Sequence, residues 1–236
     1  MNEENYLECE KYYIFAALIF IAGFYGGYTM TVRGGLFANA ASANMVLFAI
    51  AIGMHKFEKI HVYILSFIAY MLGTIVSEHC GLLAKKIGWL RWDTYMIGIE
   101  ILWILLLAFL PANVPDLVYQ LSINFICAMQ FNTFRQAEGI GMATVFITNH
   151  TRQTGSYLTR WIRKPYELAY LKKSARHFGM ILCFFLGALT SSYFGQYLHT
   201  KTLLIAVGLL ILIFIDFVHA DLFIEKDRIL ETPRGH

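Results

Sequence analysis

Residues 140–158 read IGMATVFITNHTRQTGSYL, an apolar segment with a wholly polar centre. An earlier segment, residues 36–54, reads LFANAASANMVLFAIAIGM and carries Asn39, Ser42 and Asn44 in its first half. Both are close to the length of helix, about 20 residues, that crosses a bilayer. A lipid-facing helix does not tolerate such polar groups, because each uncompensated one costs several kcal/mol. The two segments are therefore predicted to be re-entrant or broken half-helices packed inside a membrane protein.

The composition of the whole chain indicates the same environment. Hydrophobic residues make up 58% of the 236 residues and charged residues 15%, and the mean hydropathy is +0.55. Soluble domains are about 45–50% apolar and about 25% charged, so an ordinary soluble enzyme is excluded. With only 4 Pro and 4 Cys, a collagen-like repeat and a disulfide-stapled secreted module are excluded as well.

Six apolar runs flank the polar segments, and each is long enough to be a transmembrane helix. They are residues 13–32, 60–83, 94–110, 117–134, 177–198 and 203–223. The acidic N-terminus lacks the basic region of a signal peptide, so the first run is expected to stay as a span. No soluble domain fits in the remainder, and residues 1–236 are expected to form a single membrane domain.

The order of these segments repeats along the chain. Each polar segment follows a span and a glycine-bearing turn, and each leads into a span with a similar core: FIAYMLGTIVS at residues 67–77 and ILCFFLGALTS at residues 181–191. A last span closes each half, which gives repeats at residues 13–111 and 115–223. Three spans is an odd number, so the two copies would enter the membrane from opposite sides, as in many secondary transporters. The predicted fold is an all-α polytopic transmembrane helical bundle with an inverted repeat.

The distribution of Lys and Arg favours six spans over eight. With six spans and two re-entrant segments, one face carries 15 of these residues and the other 4, whereas eight spans weaken the split to 13 and 6. Cytoplasmic loops carry an excess of Lys and Arg. Both termini are therefore expected to be cytoplasmic, in a multi-pass protein of the cytoplasmic membrane.

The polar residues of the half-helices are the candidate substrate-binding site. Hydroxyls, amides and one guanidinium suit a small polar solute, anions included, and freed helix termini add partial charge. The alternative is that these side chains only hold helices together. The candidate residues are Asn39, Ser42, Asn44, Thr148, Asn149, His150, Thr151 and Arg152, with Arg135 nearby.

Two acidic residues lie inside spans and are candidates for coupling to a proton or cation. Glu100 is in the third span and Asp216 in the sixth. Charged groups at such depth are costly and mark functional sites by default. The alternative is a structural role, as a partner of Arg135, Arg33 or a backbone amide.

The sequence contains no motif for covalent, metal or cofactor chemistry. The four cysteines are isolated, and there is no H-E-x-x-H, P-loop or dinucleotide fingerprint. An enzyme is not expected, and neither is a cofactor or a metal. A net charge of +3 does not indicate a nucleic-acid partner. The expected partners are the solute and membrane lipids, whose anionic headgroups suit the basic residues 160–176, and a homo-oligomer is compatible with the sequence.

In the same two polar segments, the chain resembles the YoaK family of small bacterial inner-membrane proteins, a family of unknown function. The likeness rests on residues 22–53 and 127–158 and extends over nearly the whole chain. The family typically shows Thr-Gly-Asn in both half-helices, where this chain has Ser42-Ala43-Asn44 and Thr148-Asn149-His150. The resemblance implies a polytopic membrane protein of a kind often taken to be a permease.

Together these observations favour a secondary transporter or permease for a small polar solute. Two other classes stay open. A membrane scaffold or sensor would have half-helices that pack closed against each other. A membrane-embedded enzyme acting on a lipid would need a dense set of His, Asp and Glu at one interface.

Overall fold

The computed structural model describes residues 6–111, 113–144 and 147–233. Most of these residues are helical. The α-helices are α1 (Tyr12–Thr31), α2 (Ala41–Gly53), α3 (Ile60–Ile87), α4 (Trp92–Phe109), α5 (Asp116–Thr133), α6 (Ile147–Arg163), α7 (Leu168–Leu198) and α8 (Leu203–His219). Between α5 and α6 lie two short antiparallel strands, β1 (Gln136–Ala137) and β2 (Ile140–Gly141).

Each of the six predicted apolar runs overlaps a helix, namely α1, α3, α4, α5, α7 and α8. Within the described residues, four segments are long and apolar enough to cross a membrane: Tyr12–Thr31, Phe57–Ile87, Trp92–Phe109 and Leu168–Ile224. The last of these contains both α7 and α8, which are separated at His199 by a left-handed residue with φ 48°. The chain is therefore a multi-pass membrane protein built as a helical bundle.

Helix α5 is not among these four apolar segments because its amide side chains lower its hydropathy. Gln120, Asn124, Gln130 and Asn132 are all buried, so these amides face the protein interior. Inside a helical bundle such amides find hydrogen-bond partners, which lipid would not offer them.

Both half-helices begin later than predicted. Helix α2 begins at Ala41, five residues into the polar segment. In the second segment Ile140 and Gly141 belong to β2 and residues 142–144 are not helical, so α6 also starts after its segment does. In the turn between β1 and β2, Glu138 and Gly139 are left-handed, with φ 45° and 74°. The 13 residues of α2 span about 20 Å, less than the hydrocarbon core of about 30 Å. Helix α2 is therefore too short to cross a bilayer.

The helix pairs of the bundle match between the two halves. Helix α1 packs along α7 and α3 along α5, while α2 lies on α3, α6 lies on α7 and α4 packs on α8. Exchanging α1–α4 for α5–α8 leaves this set of pairs unchanged.

Glycines at matching positions allow the two main helix pairs to approach closely. Gly187 of α7 lies against α1, and an added Cβ would be 2.8 Å from the carbonyl carbon of Phe20. Gly73 of α3 lies against α5, and there an added Cβ would be 3.2 Å from the carbonyl carbon of Phe125. These glycines occupy the same place in the two similar cores. Small residues in such seams let transmembrane helices pack backbone to backbone.

Candidate functional site

A buried polar group lies where α2 meets α3 and α5. Asn44 is the fourth residue of α2, and its Nδ2 donates to the carbonyl of Phe37 at 2.7 Å and to Ser66 Oγ at 3.2 Å. Asn124 of α5 donates to the carbonyl of Ser66 at 2.6 Å and to Ser66 Oγ at 2.9 Å. We call Asn44, Ser66 and Asn124 the amide cluster. Within the described residues, the side-chain oxygens of both asparagines have no hydrogen-bond partner.

A cavity of about 210 Å³ adjoins the amide cluster. Asn44 and Ser66 form its polar wall, and the remainder is largely apolar and aromatic. The lining residues are Ala41, Asn44, Met45, Phe48, Tyr63, Ile64, Ser66 and Phe67.

The other predicted residues of the first half-helix differ in burial. Asn39 is buried against α1, where its Nδ2 donates to the carbonyl of Ala22 at 2.8 Å and its amide lies against Gly26. Ser42 is exposed. Asn39 is therefore held by α1, away from the contacts that define the amide cluster.

His150 of α6 makes contacts that parallel those of Asn44. Its Nε2 lies 3.0 Å from the carbonyl of Ala143, seven residues earlier, as Phe37 is seven residues before Asn44. Its Nδ1 lies 3.1 Å from Nδ1 of His177 on the following helix, α7. A carbonyl only accepts, so Nε2 of His150 donates, and the neutral ring accepts a hydrogen bond from His177. Burial lowers the pKa of His150, which favours this neutral form.

Most of the other residues of α6 that were predicted to bind solute are exposed. Thr148, Thr151 and Arg152 are exposed and Asn149 is partly buried. Arg152 donates to Asn149 Oδ1 at 3.1 Å, within the same helix. The structure thus places Asn39, Asn44 and His150 inside the bundle and the polar face of α6 on its surface.

Glu100 lies at the centre of the bundle. It is the ninth of the 18 residues of α4, and its exposed fraction is 0%. The hydroxyl of Tyr25 on α1 donates to its Oε1 at 2.9 Å, and its Oε2 has no partner within the described residues.

The basic residues considered as partners of Glu100 are engaged elsewhere. Arg135 lies 3.0 Å from Glu78, and Arg33 lies 3.2 Å from Asp116 with its guanidinium over the ring of Tyr119. The second acidic candidate, Asp216, is partly buried and accepts a hydrogen bond of 2.7 Å from the hydroxyl of Tyr13.

Sequence reasoning missed a buried ionic cluster at the N-terminal end of α4. Arg91 is 2% exposed, and its guanidinium lies 3.1 Å from Asp93, 3.8 Å from Asp221 and 4.0 Å from Glu225. We call these four residues the Arg91 cluster. Burial alone would lower the pKa of Arg91, but Asp93 and the other anionic groups around it raise the pKa above its ordinary value.

The Arg91 cluster joins distant parts of the chain. The backbone N–H of Glu8 donates to Glu225 at 2.6 Å, and Arg91 donates to the carbonyl of Arg228 at 3.3 Å. An Arg two residues before an Asp at the start of a span was the only local signal, because Asp221 and Glu225 lie more than 120 residues further along the chain.

Comparison with known proteins gives one finding. The family described as Protein of unknown function (DUF1275) matches residues 14–215. This is the YoaK family, so the resemblance seen in the sequence is confirmed. Nothing among the curated proteins or the solved structures matches the chain.

Proposed function

The chain belongs to the DUF1275 family, and from that premise we propose that it is a secondary transporter of the cytoplasmic membrane that moves a small polar solute. Six helices cross the bilayer, α2 and α6 enter it as half-helices from opposite faces, and both termini are cytoplasmic. The carrier acts without covalent chemistry or a cofactor, and the basic residues 160–176 contact anionic lipid.

An inverted repeat is supported by contacts that recur in both halves. The set of helix pairs is unchanged when α1–α4 are exchanged for α5–α8, and Gly73 and Gly187 mark the same point of close approach. Asn44 and His150 each bind a carbonyl seven residues earlier and a side chain on the next helix. Two such halves arranged with opposite orientation provide the two conformations that alternating access needs.

The observation that carries the proposal is the burial of Glu100 and its lack of a charged partner within the described residues. A fully buried carboxyl whose one described partner is a tyrosine hydroxyl is a costly feature for a purely structural core. A protonated carboxyl is neutral, so it can stay buried while the carrier changes between its two conformations without the cost of a buried charge. It can release the proton when the site opens to water on one side of the membrane. Tyr25 belongs to α1 and Glu100 to α4, so relative movement of these helices would open or close the carboxyl to water.

The test is solute-driven proton movement in proteoliposomes that hold a pH-sensitive dye. A panel of neutral amides and alcohols, small carboxylates and inorganic anions is added outside. The wild type should move protons with at least one solute, and Glu100→Gln should reduce this movement at least tenfold. The matched control is Glu58→Gln on the exposed loop before α3, which should keep the wild-type rate.

Two results would contradict the proposal. If Glu100→Gln and Arg152→Ala both leave flux of an identified solute unchanged, the assignment of the site is wrong. If no solute in the panel moves protons or accumulates, a scaffold or sensor would account for the fold better.

A further inference from the structure

We infer that two side-chain latches at opposite ends of α1 close the outer and inner mouths of the bundle and open in turn. The outer latch is Arg33 with Asp116 and Thr200, and the inner latch is Glu138 with Arg176 and Tyr12. The inference deepens the proposed function, on which it rests for the claim that each opening exposes Glu100 to one side of the membrane. The opening itself can be measured without a transported solute.

The outer latch connects the two halves of the chain where α1 ends. Arg33 lies just after the last residue of α1, and its Nη1 lies 3.2 Å from Oδ1 of Asp116, the first residue of α5. Its Nη2 donates to the hydroxyl of Thr200, in the turn between α7 and α8. Its Nε donates to the hydroxyl of Tyr28 on α1 at 3.1 Å. Arg33 therefore ties the end of α1 to the start of α5 and the end of α7.

The inner latch connects the two halves where α1 begins. Glu138, in the turn after α5, accepts a hydrogen bond of 3.2 Å from the backbone N–H of Tyr12, the first residue of α1. Its Oε2 lies 2.7 Å from Nη2 of Arg176, in the early part of α7. The hydroxyl of Tyr12 donates to the carbonyl of Arg176 at 2.8 Å. Glu138 therefore ties the start of α1 to the start of α7.

The two latches occupy matching places in the repeats. Arg33 lies in the turn after the first span of one half, and Glu138 lies in the turn after the first span of the other. A left-handed glycine follows each of them directly, Gly34 with φ 68° and Gly139 with φ 74°. Each also contacts the first residue of the opposite half's first span. A contact that recurs when the halves are exchanged is suited to act once at each face of the membrane.

Glu100 lies between the two latches. The 20 residues of α1 span about 30 Å, so the latches are separated by about the thickness of the hydrocarbon core. Tyr25, whose hydroxyl donates to Glu100, is the 14th residue of α1 and lies within that interval. Cys127 of α5 is 0% exposed and lies about 17 Å along its helix from Asp116. Water can reach this level from one face only if the latch at that face opens.

The ion pair of each latch can separate at a small cost in free energy. The side chains of Asp116, Glu138 and Arg176 are 45%, 27% and 39% exposed. Ion pairs that water reaches contribute little to stability, because water also solvates the separated charges. A fully buried pair such as that of Arg91 and Asp93 would hold its helices together permanently. The exposure of the latches therefore suits contacts that close and reopen.

The reactivity of the native Cys127 tests the inference. Cys9, Cys80 and Cys183 are replaced by Ser, which leaves Cys127 as the single thiol of the full chain. A small membrane-impermeant methanethiosulfonate is added to right-side-out or inside-out vesicles. Mass spectrometry of the intact chain then gives the rate at which Cys127 is modified from each side.

Each latch is opened by reversing one charge. Asp116→Lys, which repels Arg33, should raise the rate at least tenfold from the outer side only. Arg176→Glu, which repels Glu138, should raise the rate at least tenfold from the cytoplasmic side only. Asp116→Asn and Arg176→Gln remove one charge without reversing it, and each should raise the rate at least threefold from the same side as its partner variant.

The matched controls reverse a charge outside the latches. Glu58→Lys, on the exposed loop before α3, and Lys172→Glu, on an exposed position of α7, should keep the rate of the wild type. A control that raises the rate as much as the latch variant would make local charge the cause and overturn the inference.

The remaining outcomes separate the latches from the transport proposal. The inference is wrong if the folded charge-reversal or charge-removal variants of either latch keep the wild-type rate, or if both latches open Cys127 to the same side. If each latch opens its own side while no solute enters liposomes, the latches stand and the transporter proposal is contradicted.

Discussion

Replacing Gly187 by Ala is expected to force α7 away from α1. An added Cβ would lie 2.8 Å from the carbonyl carbon of Phe20 and 2.9 Å from the nitrogen of Phe24. Carbon atoms in contact normally lie about 3.5–4.0 Å apart, so the helices must separate by about 0.7 Å or more. The obstructing atoms are backbone and cannot rotate away. Overpacking of this kind costs about 1–3 kcal/mol, against up to about 1 kcal/mol returned by helix propensity.

The assay is thermal unfolding of the purified protein in detergent. A loss of about 2 kcal/mol should lower Tm by about 4–8 °C in a chain of this size. Gly73→Ala, at the matching place between α3 and α5, should lower Tm by a similar amount. The control is Gly208→Ala in α8, where an added Cβ meets nothing within 4 Å and stability should be kept or raised. If Gly187→Ala is as stable as Gly208→Ala, the close approach of α1 and α7 is wrong.

Two further predictions concern charged and titratable groups. Arg91→Ala leaves the carboxylates of its cluster buried without their cation, so the free energy of unfolding should fall by about 3–5 kcal/mol. The control Arg163→Ala, at an exposed site, should change the free energy of unfolding by less than about 0.5 kcal/mol. Burial lowers the pKa of His150, so the unfolded chain takes up a proton below about pH 6.5 that the folded chain does not. The free energy of unfolding should therefore fall as pH drops through that range. Denaturant unfolding between pH 7.5 and 5 should show a smaller fall for His150→Gln than for the wild type. The control His61→Gln, at an exposed site, should show the wild-type fall.

Hydropathy was sufficient to place most of the bundle, because spans surrounded by lipid must be continuously apolar. It placed the start of α7 too late. The prediction began at residue 177, whereas α7 begins at Leu168, since Lys172, Lys173 and Arg176 interrupt the apolar pattern without breaking the helix. Ser174 in this part donates to the carbonyl of Thr154 at 2.9 Å, which holds the early turns of α7 on α6. Such packing leaves no trace in a hydropathy window.

The site was only partly accessible from the sequence, because composition does not say which side of a helix faces inward. Asn44, His150 and Glu100 were found as polar exceptions in apolar segments, and all three are buried. Thr148 and Arg152 belong to the same polar segment as His150 but lie on the exposed side of α6. The partners of Asn44 could not be foreseen, since they come from other helices and follow from packing.

The opposite orientation of the two halves is the claim on which the account most depends, and side-specific cysteine labelling tests it most directly. Lys56→Cys lies between α2 and α3, and Tyr166→Cys lies between α6 and α7, and both positions are exposed. The background replaces Cys80 and Cys183, the two native cysteines that are not fully buried, by Ser. In intact cells a membrane-impermeant maleimide should label Lys56→Cys, and it should label Tyr166→Cys only after permeabilisation. Labelling of both positions from the same side would contradict the inverted architecture.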